Sequence, residues 1–431
     1  MTLADLNAKA ENTGGLEAPN NTGNENFYII FCFGDWIAGL KFKVTRQEAV
    51  LVAPSLPTPN DHLYLSNLDD QAGARFHIPV ALFYKHSFLK EDQDPAKVIK
   101  KALAEVLVDY YPLAGRLRKE FDANASLIFS WICVTRLKCK GFIFAVLLNH
   151  IMADGIGLSQ FLTDLGEIAM GASGLSISPV WKRETLKPRS KPSISLPLYA
   201  YEQVVGEVMS VDDLVHSSYF FGPKEIESLK REACMKASSF EALSGFLWRL
   251  RTRALNIAAE KEVRLMFLTN IRSTIEPPLP HVYYGNAFIL SCAKTTAGML
   301  SNNPLSYAIE LIIKARRSVN NEYIRSTIDF MEIKGHPQPT ALGSLIVSDL
   351  TKIRFRDVAF GWGKAIYGGT AIGGVGAIPG ILTFFIPHQN NHGVEGKLVP
   401  ISLPSHAMQK FQLELAQAMQ KEALPFIRSS I

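Results

Sequence analysis

The sequence predicts an α/β protein of two lobes with mixed sheets. Three observations carry that expectation. Short runs rich in Phe, Val and Ile are interspersed with segments whose apolar residues recur every three or four positions, without a strict βαβ period. A stretch with four prolines and five basic residues, 178–197, contains few large apolar groups and divides the pattern in two. The chain has 431 residues, 47% of them hydrophobic and 20% charged, enough to bury a large core without a disulfide or metal staple. The expected division is 1–40 as a disordered or atypical extension, 41–177 as an N-terminal lobe, 178–197 as a linker and 198–431 as a C-terminal lobe.

In chain order, residues 1–26 are rich in Asn, Gly, Thr and Glu and are expected to be disordered. The β-branched segment 42–54 reads as a strand stopped by Pro54. Asp94 followed by Pro95 opens a helix over 96–108, with Val98, Ile99, Leu103, Val106 and Leu107 on one face. That helix ends at Tyr110-Tyr111-Pro112. The apolar run 141–148 is too short for a typical helix and suits a strand buried on both faces. It ends in Asn149-His150, turns at 153–157 and continues as a helix through Leu158, Phe161, Leu162, Leu165 and Ile168. Past the linker, Ser238 and Glu241 form part of a capping box for a helix through Leu250. Strands follow at 263–269, 345–348, 381–386 and 398–403, and helices at 304–321 and 405–420. No repeat unit is found.

Composition also excludes functions. The net charge of +5 is spread along the chain with no basic block, so nucleic acid is not an expected partner. Five Cys without metal-type spacing read as free thiols of a reducing compartment, and no metal site is expected. The run 27–40 is too short to cross a bilayer, and only Lys9 offers a basic charge before it, so the expectation is a cytoplasmic protein with no membrane partner.

His150 and Asp154, in His-Ile-Met-Ala-Asp-Gly, form the constellation with chemical potential. Alone, a His and an Asp four positions apart signal little. A buried strand ending in His, followed by an Asp-Gly turn and a helix, places an imidazole where a cleft can open. Such a ring removes a proton from an alcohol near neutral pH, its ordinary pKa being about 6.5. Asp154 either orients the ring or braces the loop. The plainer alternative is a packed His with a helix-capping Asp.

Ala359-Phe360-Gly361-Trp362-Gly363-Lys364 and the Gly-rich stretch 368–380 add the remaining signal. Together with 111–117 (YPLAGRL), 150–155, Thr269-Asn270-Ile271-Arg272 and Tyr284-Gly285-Asn286, these motifs occur in the order found in plant acyl-CoA-dependent acyltransferases of the BAHD family, which the chain resembles over about 42–405. Within that family it is most similar to alcohol acyltransferases that make volatile esters. The resemblance implies a two-lobed chloramphenicol acetyltransferase-like fold with a channel between the lobes. It implies acyl-CoA (benzoyl-CoA or acetyl-CoA) and a small alcohol as co-substrates, no bound cofactor and a monomer. His150 would be the general base, with no acyl-enzyme. Trp362 and the backbone at Gly361 and Gly363 would hold the oxyanion or the pantetheine arm, with Phe360 and Gly155 structural. Asp154 would turn away from the site and pair with Arg272. Ser238 and Ser239, at a helix start, would contact CoA, since phosphates favour such termini. Asn286 would lie near the acceptor. Arg249, Arg251 and Arg253 read either as a solvated face or as CoA contacts, and Trp181 and Trp248 as core.

Two departures stand out. Ala359 replaces the family's Asp, and Asp357 would substitute only by a shift of register. Only 32 residues separate Leu117 from His150, several tens fewer than in relatives, so Lys119-Glu120-Phe121 resembles a splice across missing strands. A catalytically impaired protein that binds CoA without turnover is therefore the alternative, and a thioester hydrolase a third reading.

Overall fold

The computed structural model describes residues 45–117, 131–202, 213–335, 343–370 and 380–420, together with three two-residue strands near the N-terminus. The strands and helices are, in chain order, β1 (Thr2–Leu3), β2 (Asn26–Phe27), β3 (Phe42–Lys43), β4 (Val50–Leu51), β5 (His77–Tyr84), α1 (Pro95–Val106), β6 (Trp131–Arg136), β7 (Phe142–Asn149) and α2 (Gly155–Ala169). After the Pro-rich segment come β8 (Leu214–Phe221), α3 (Pro223–Glu232), α4 (Ser239–Ala254), β9 (Glu262–Asn270), β10 (Phe288–Thr296), α5 (Ala297–Asn302), α6 (Leu305–Arg317) and α7 (Asn321–Lys334). β11 (Ser344–Asp349), β12 (Tyr367–Thr370), β13 (Leu382–Gln389), β14 (Glu395–Pro404) and α8 (Ser405–Gln420) complete the set.

Two six-stranded mixed sheets organise the molecule, ordered β12-β5-β7-β6-β1-β4 and β10-β9-β11-β13-β14-β8. α1 and α2 pack on the first sheet: Ile99, Leu103 and Val106 meet Phe161, Leu162 and Leu165 in one buried cluster. Asp94 caps α1 by accepting from the Ala96 N–H, as its place before Pro95 requires. α4, α6 and α8 cover the second sheet around Trp248, Phe385 and Phe411. The sheets are not independent. β12, from the second half of the chain, pairs antiparallel with β5 from Tyr367–Phe83 to Thr370–Val80.

The expected strand over 42–54 is not continuous, since residues 45–49 separate β3 from β4 without regular structure. β5 escapes periodicity reasoning because Pro79 interrupts it. Among the described residues β12 pairs with β5 as far as Val80. The Pro-rich segment is not a loose tether. Val180 bridges to Tyr283, Arg189 binds Asp329 at 2.6 Å, and Leu186 and Leu198 enter the core beside α7. Most of the expected N-terminal extension, the proposed splice at 119–121 and residues 371–379 of the Gly-rich stretch lie outside the described residues.

Candidate active site

The site begins with β7. Its apolar run is buried on both faces, paired with β5 on one side and β6 on the other, and its end delivers His150, whose N–H bonds the Phe76 carbonyl at 2.9 Å. A tight turn follows, and Asp154 caps α2 by accepting from the Gly157 N–H at 2.9 Å. Gly157 is the glycine this junction cannot lose. A Cβ there would sit 1.9 Å from the Tyr284 carbonyl oxygen, so α2 approaches that backbone only without a side chain. Gly155 opens the helix, and a Cβ there would meet only the tip of Ile353.

The imidazole of His150 lies where the two halves meet, between the Phe76 ring at 5.7 Å and the Phe288 ring at 5.6 Å. Burial between these rings holds the imidazolium below the ordinary pKa of 6.5, so the ring is neutral at pH 7. Its Nδ1 lies 3.0 Å from Asn286 Oδ1. The amide of Asn286 is oriented from the other side, where its Nδ2 donates to the His150 carbonyl at 2.8 Å and to Asp69 Oδ1 at 3.0 Å. Both partners accept, so the amide oxygen must face the ring, and the proton is assigned to Nδ1. Nε2 is left with a lone pair, as a base requires.

Asp154 is committed elsewhere. Its two oxygens take both terminal nitrogens of Arg272 at 2.9 Å each, and Oδ2 also accepts from the Ala287 N–H at 3.1 Å. This buried fork ties the start of α2 to the turn before β10, with Arg272 further donating to the carbonyls of Tyr283 and Gly285. The pairing of Asp154 with Arg272 is the one implied by the resemblance.

A family model described as the Transferase family matches residues 42–130 and 123–418. The benzyl alcohol O-benzoyltransferase of Nicotiana tabacum is 44% identical over 438 residues, spanning 89% of this chain and 95% of its own. The (Z)-3-hexen-1-ol acetyltransferase of Arabidopsis thaliana is 40% identical, over 88% and 95%. The chain belongs to the BAHD acyltransferase family. Crystalline vinorine synthase shares the fold at a TM-score of 0.67, with 19% identity, 86% of this chain and 97% of that one covered. This is the two-lobed chloramphenicol acetyltransferase-like architecture the motifs implied. The two matched pieces of the family model meet at 123–130, inside the interval expected to be short. The alignment with the tobacco enzyme is longer than the share of this chain it spans, so that enzyme carries residues this chain lacks.

Against this family background several expected site residues move. Trp362 packs edge-on against Phe142 at 5.4 Å, and Phe360 lies against Tyr84 and Phe144. Phe142 begins β7 and His150 follows its end. At about 3.3 Å per residue, Trp362 stands roughly 20 Å or more from the imidazole. It is a core residue of the first lobe, not a catalytic one. Gly361 and Gly363 adopt φ of +98° and +89° to shape that distant turn, so neither lines the site around His150. The turn keeps a carboxylate without any register shift. Asp357 binds Lys364 at 2.7 Å across it while Ala359 bridges Lys364 through the backbone.

Asn286 is likewise displaced from its expected role. It is fully buried behind the ring, with its polar atoms taken by His150 and Asp69, so it positions the imidazole and does not touch an acceptor. Ser238 and Ser239 open α4 as expected. Ser238 accepts from the Glu241 N–H at 3.2 Å while Glu241 returns a bond to the Ser238 N–H at 2.7 Å. Arg249 and Arg253 are neither a solvated face nor directed at a ligand. They donate to the carbonyls of Leu300, Asn303 and Ser301, closing the C-terminal end of α5. Arg251 is buried and reaches the Gly380 carbonyl. Trp248 is core, and Trp181 lies 3.9 Å beneath the Arg183 guanidinium.

The sequence reading missed Asp69 and Arg183. Asp69 is fully buried, accepts from Ser66 and from both the backbone and side-chain amides of Asn286, and faces Arg183 Nε at 3.0 Å. Arg183 in turn donates to the Met152 carbonyl at 2.7 Å. Asp69 lies outside the five ordered motifs, and Arg183 sits in the segment whose composition read as a linker. Among the described residues no cluster suited to a metal ion is found, and no helix is long and apolar enough to cross a membrane.

Proposed function

We propose that the protein transfers an acyl group from acyl-CoA to the hydroxyl of a small alcohol, giving an ester and free CoA. The observation that carries this is the neutral His150 ring with its proton assigned to Nδ1 and Nε2 left to accept. Nε2 takes the hydroxyl proton as the alcohol oxygen attacks the thioester carbonyl. The tetrahedral adduct then collapses, the C–S bond breaks, and the imidazolium returns its proton to the departing sulfur. The relatives named for benzyl alcohol and (Z)-3-hexen-1-ol support alcohols as acceptors, and benzoyl-CoA and acetyl-CoA as donors to try first. The start of α4, with Ser238 and Ser239, is our candidate contact for the phosphates or pantetheine of CoA, where the helix dipole favours an anion. We read the protein as a cytoplasmic monomer with no nucleic-acid or membrane partner. The non-catalytic alternative gains no support from the comparisons.

The test is release of CoA thiol from benzoyl-CoA or acetyl-CoA with and without benzyl alcohol. Alcohol-dependent thiol release with an equal yield of ester is expected. Release at the same rate without alcohol would mean a hydrolase.

A further inference from the structure

Behind the base runs a buried chain, Arg183–Asp69–Asn286–His150, which joins four separate segments. Asp69 is a fully buried charge, and such a charge is costly unless it is paired and bonded. Here it is both, through Arg183, the Ser66 N–H and hydroxyl, and two amide donors of Asn286.

We propose that Asp69 is the positioning carboxylate of this site: it fixes the Asn286 amide so that His150 carries its proton on Nδ1 and presents Nε2 to the alcohol. An Asn side chain turned by 180° exchanges its oxygen and nitrogen, and a reversed Asn286 would offer an N–H to Nδ1 and force the ring proton onto Nε2, abolishing the base. Asp69 accepts only, so it admits the Asn286 nitrogen and rejects the oxygen. The His150 carbonyl imposes the same choice from a second direction. The intervening amide also separates carboxylate from ring. Asp69 sets geometry without the direct carboxylate–imidazole bond that would hold a proton on the base, and Asp154, spent on Arg272, does not supply that bond either.

This inference rests on the reading of His150 as the base, and the experiment separates the two. Because Asp69→Ala alone would strand the Arg183 charge, the comparison uses Asp69→Ala/Arg183→Met against Asp69→Asn/Arg183→Met, in which the Asn286 backbone N–H calls for the new amide's oxygen, not its nitrogen, on that side. Two-bond ¹⁵N–¹H spectra of histidine-labelled protein report the His150 tautomer, and steady-state kinetics with benzyl alcohol report kcat and KM. A single Nδ1–H tautomer is expected in the wild type. The alanine form should show mixed tautomers and a kcat about 10- to 100-fold lower, with the alcohol KM within about threefold. The asparagine form should regain at least about tenfold of that loss and the Nδ1–H signal. An Nε2–H tautomer in the wild type, or equal losses in both double variants with the tautomer unmoved, would overturn the proposal. If the alanine form does not fold, the wild-type and asparagine-form tautomers decide. Should His150→Ala retain the wild-type rate, the base reading fails, while the spectra still report whether Asp69 sets the ring.

Discussion

Removing the carboxylate of Asp154 should damage the fold far more than the chemistry. Asp154 accepts four hydrogen bonds, from Gly157 N, both terminal nitrogens of Arg272 and Ala287 N, all between 2.9 and 3.1 Å. Asp154→Ala would leave the Arg272 guanidinium, about nine-tenths buried, with the carbonyls of Tyr283 and Gly285 and with Asn270 as its hydrogen-bond partners among the described residues. Stranding one member of a buried pair costs about 3–5 kcal/mol. Loss of the α2 cap adds about 1 kcal/mol, part of which overlaps the first figure. At about 1 °C per kcal/mol for a cooperative unit of this size, the melting temperature should fall by about 3–6 °C. Scanning fluorimetry of wild type, Asp154→Ala, Arg272→Met and the double variant measures this directly. The double should recover a good part of the loss, because it orphans no charge. Below its melting temperature, folded Asp154→Ala should retain turnover within about tenfold. An Asp154→Ala protein that melts like the wild type yet loses about 10³-fold in kcat would show instead a carboxylate acting on the imidazole.

Two further outcomes follow from the same geometry. Burial lowers the His150 pKa below 6.5 and the base works only unprotonated, so kcat/KM should be level at neutral pH and fall with acid, its midpoint below 6.5; a midpoint above about 7 would contradict that environment. Trp362→Ala should cost about 3–5 kcal/mol through the cavity left against Phe142, seen as a lower melting temperature, while the folded fraction keeps its rate within about threefold; lost turnover at an unchanged melting temperature would return Trp362 to the site.

Much of the fold near His150 was legible because it is local. A buried apolar strand, an Asp–Gly turn and a helix with apolar residues at 3.6 spacing are consecutive in the chain, and periodicity reads them directly. α1 was equally plain from Asp94, Pro95 and one apolar face. What the sequence could not convey was which end of a strand a remote motif meets. The Phe360–Trp362 turn docks at the Tyr84–Phe142 end of the first sheet, opposite His150, and chain order carries no trace of that choice. Asn286 was singled out, but its direction was not, because the partner that orients it, Asp69, lies 217 positions away. The local cue at Asp69 was slight: a Ser three residues earlier whose N–H and hydroxyl both bond the carboxylate. Arg183 was hidden by composition. Prolines and lysines around it suggest a solvated tether, yet Val180, Arg183 and Leu186 are drawn into the body of the protein.

His150→Ala bears most directly on the central claim that this imidazole deprotonates the alcohol. With the variant shown by its melting curve to be folded, alcohol-dependent release of CoA thiol should fall by about 10²- to 10⁴-fold, mainly in kcat. Turnover equal to the wild type, from a protein in which no imidazole stands between Phe76 and Phe288, would contradict it.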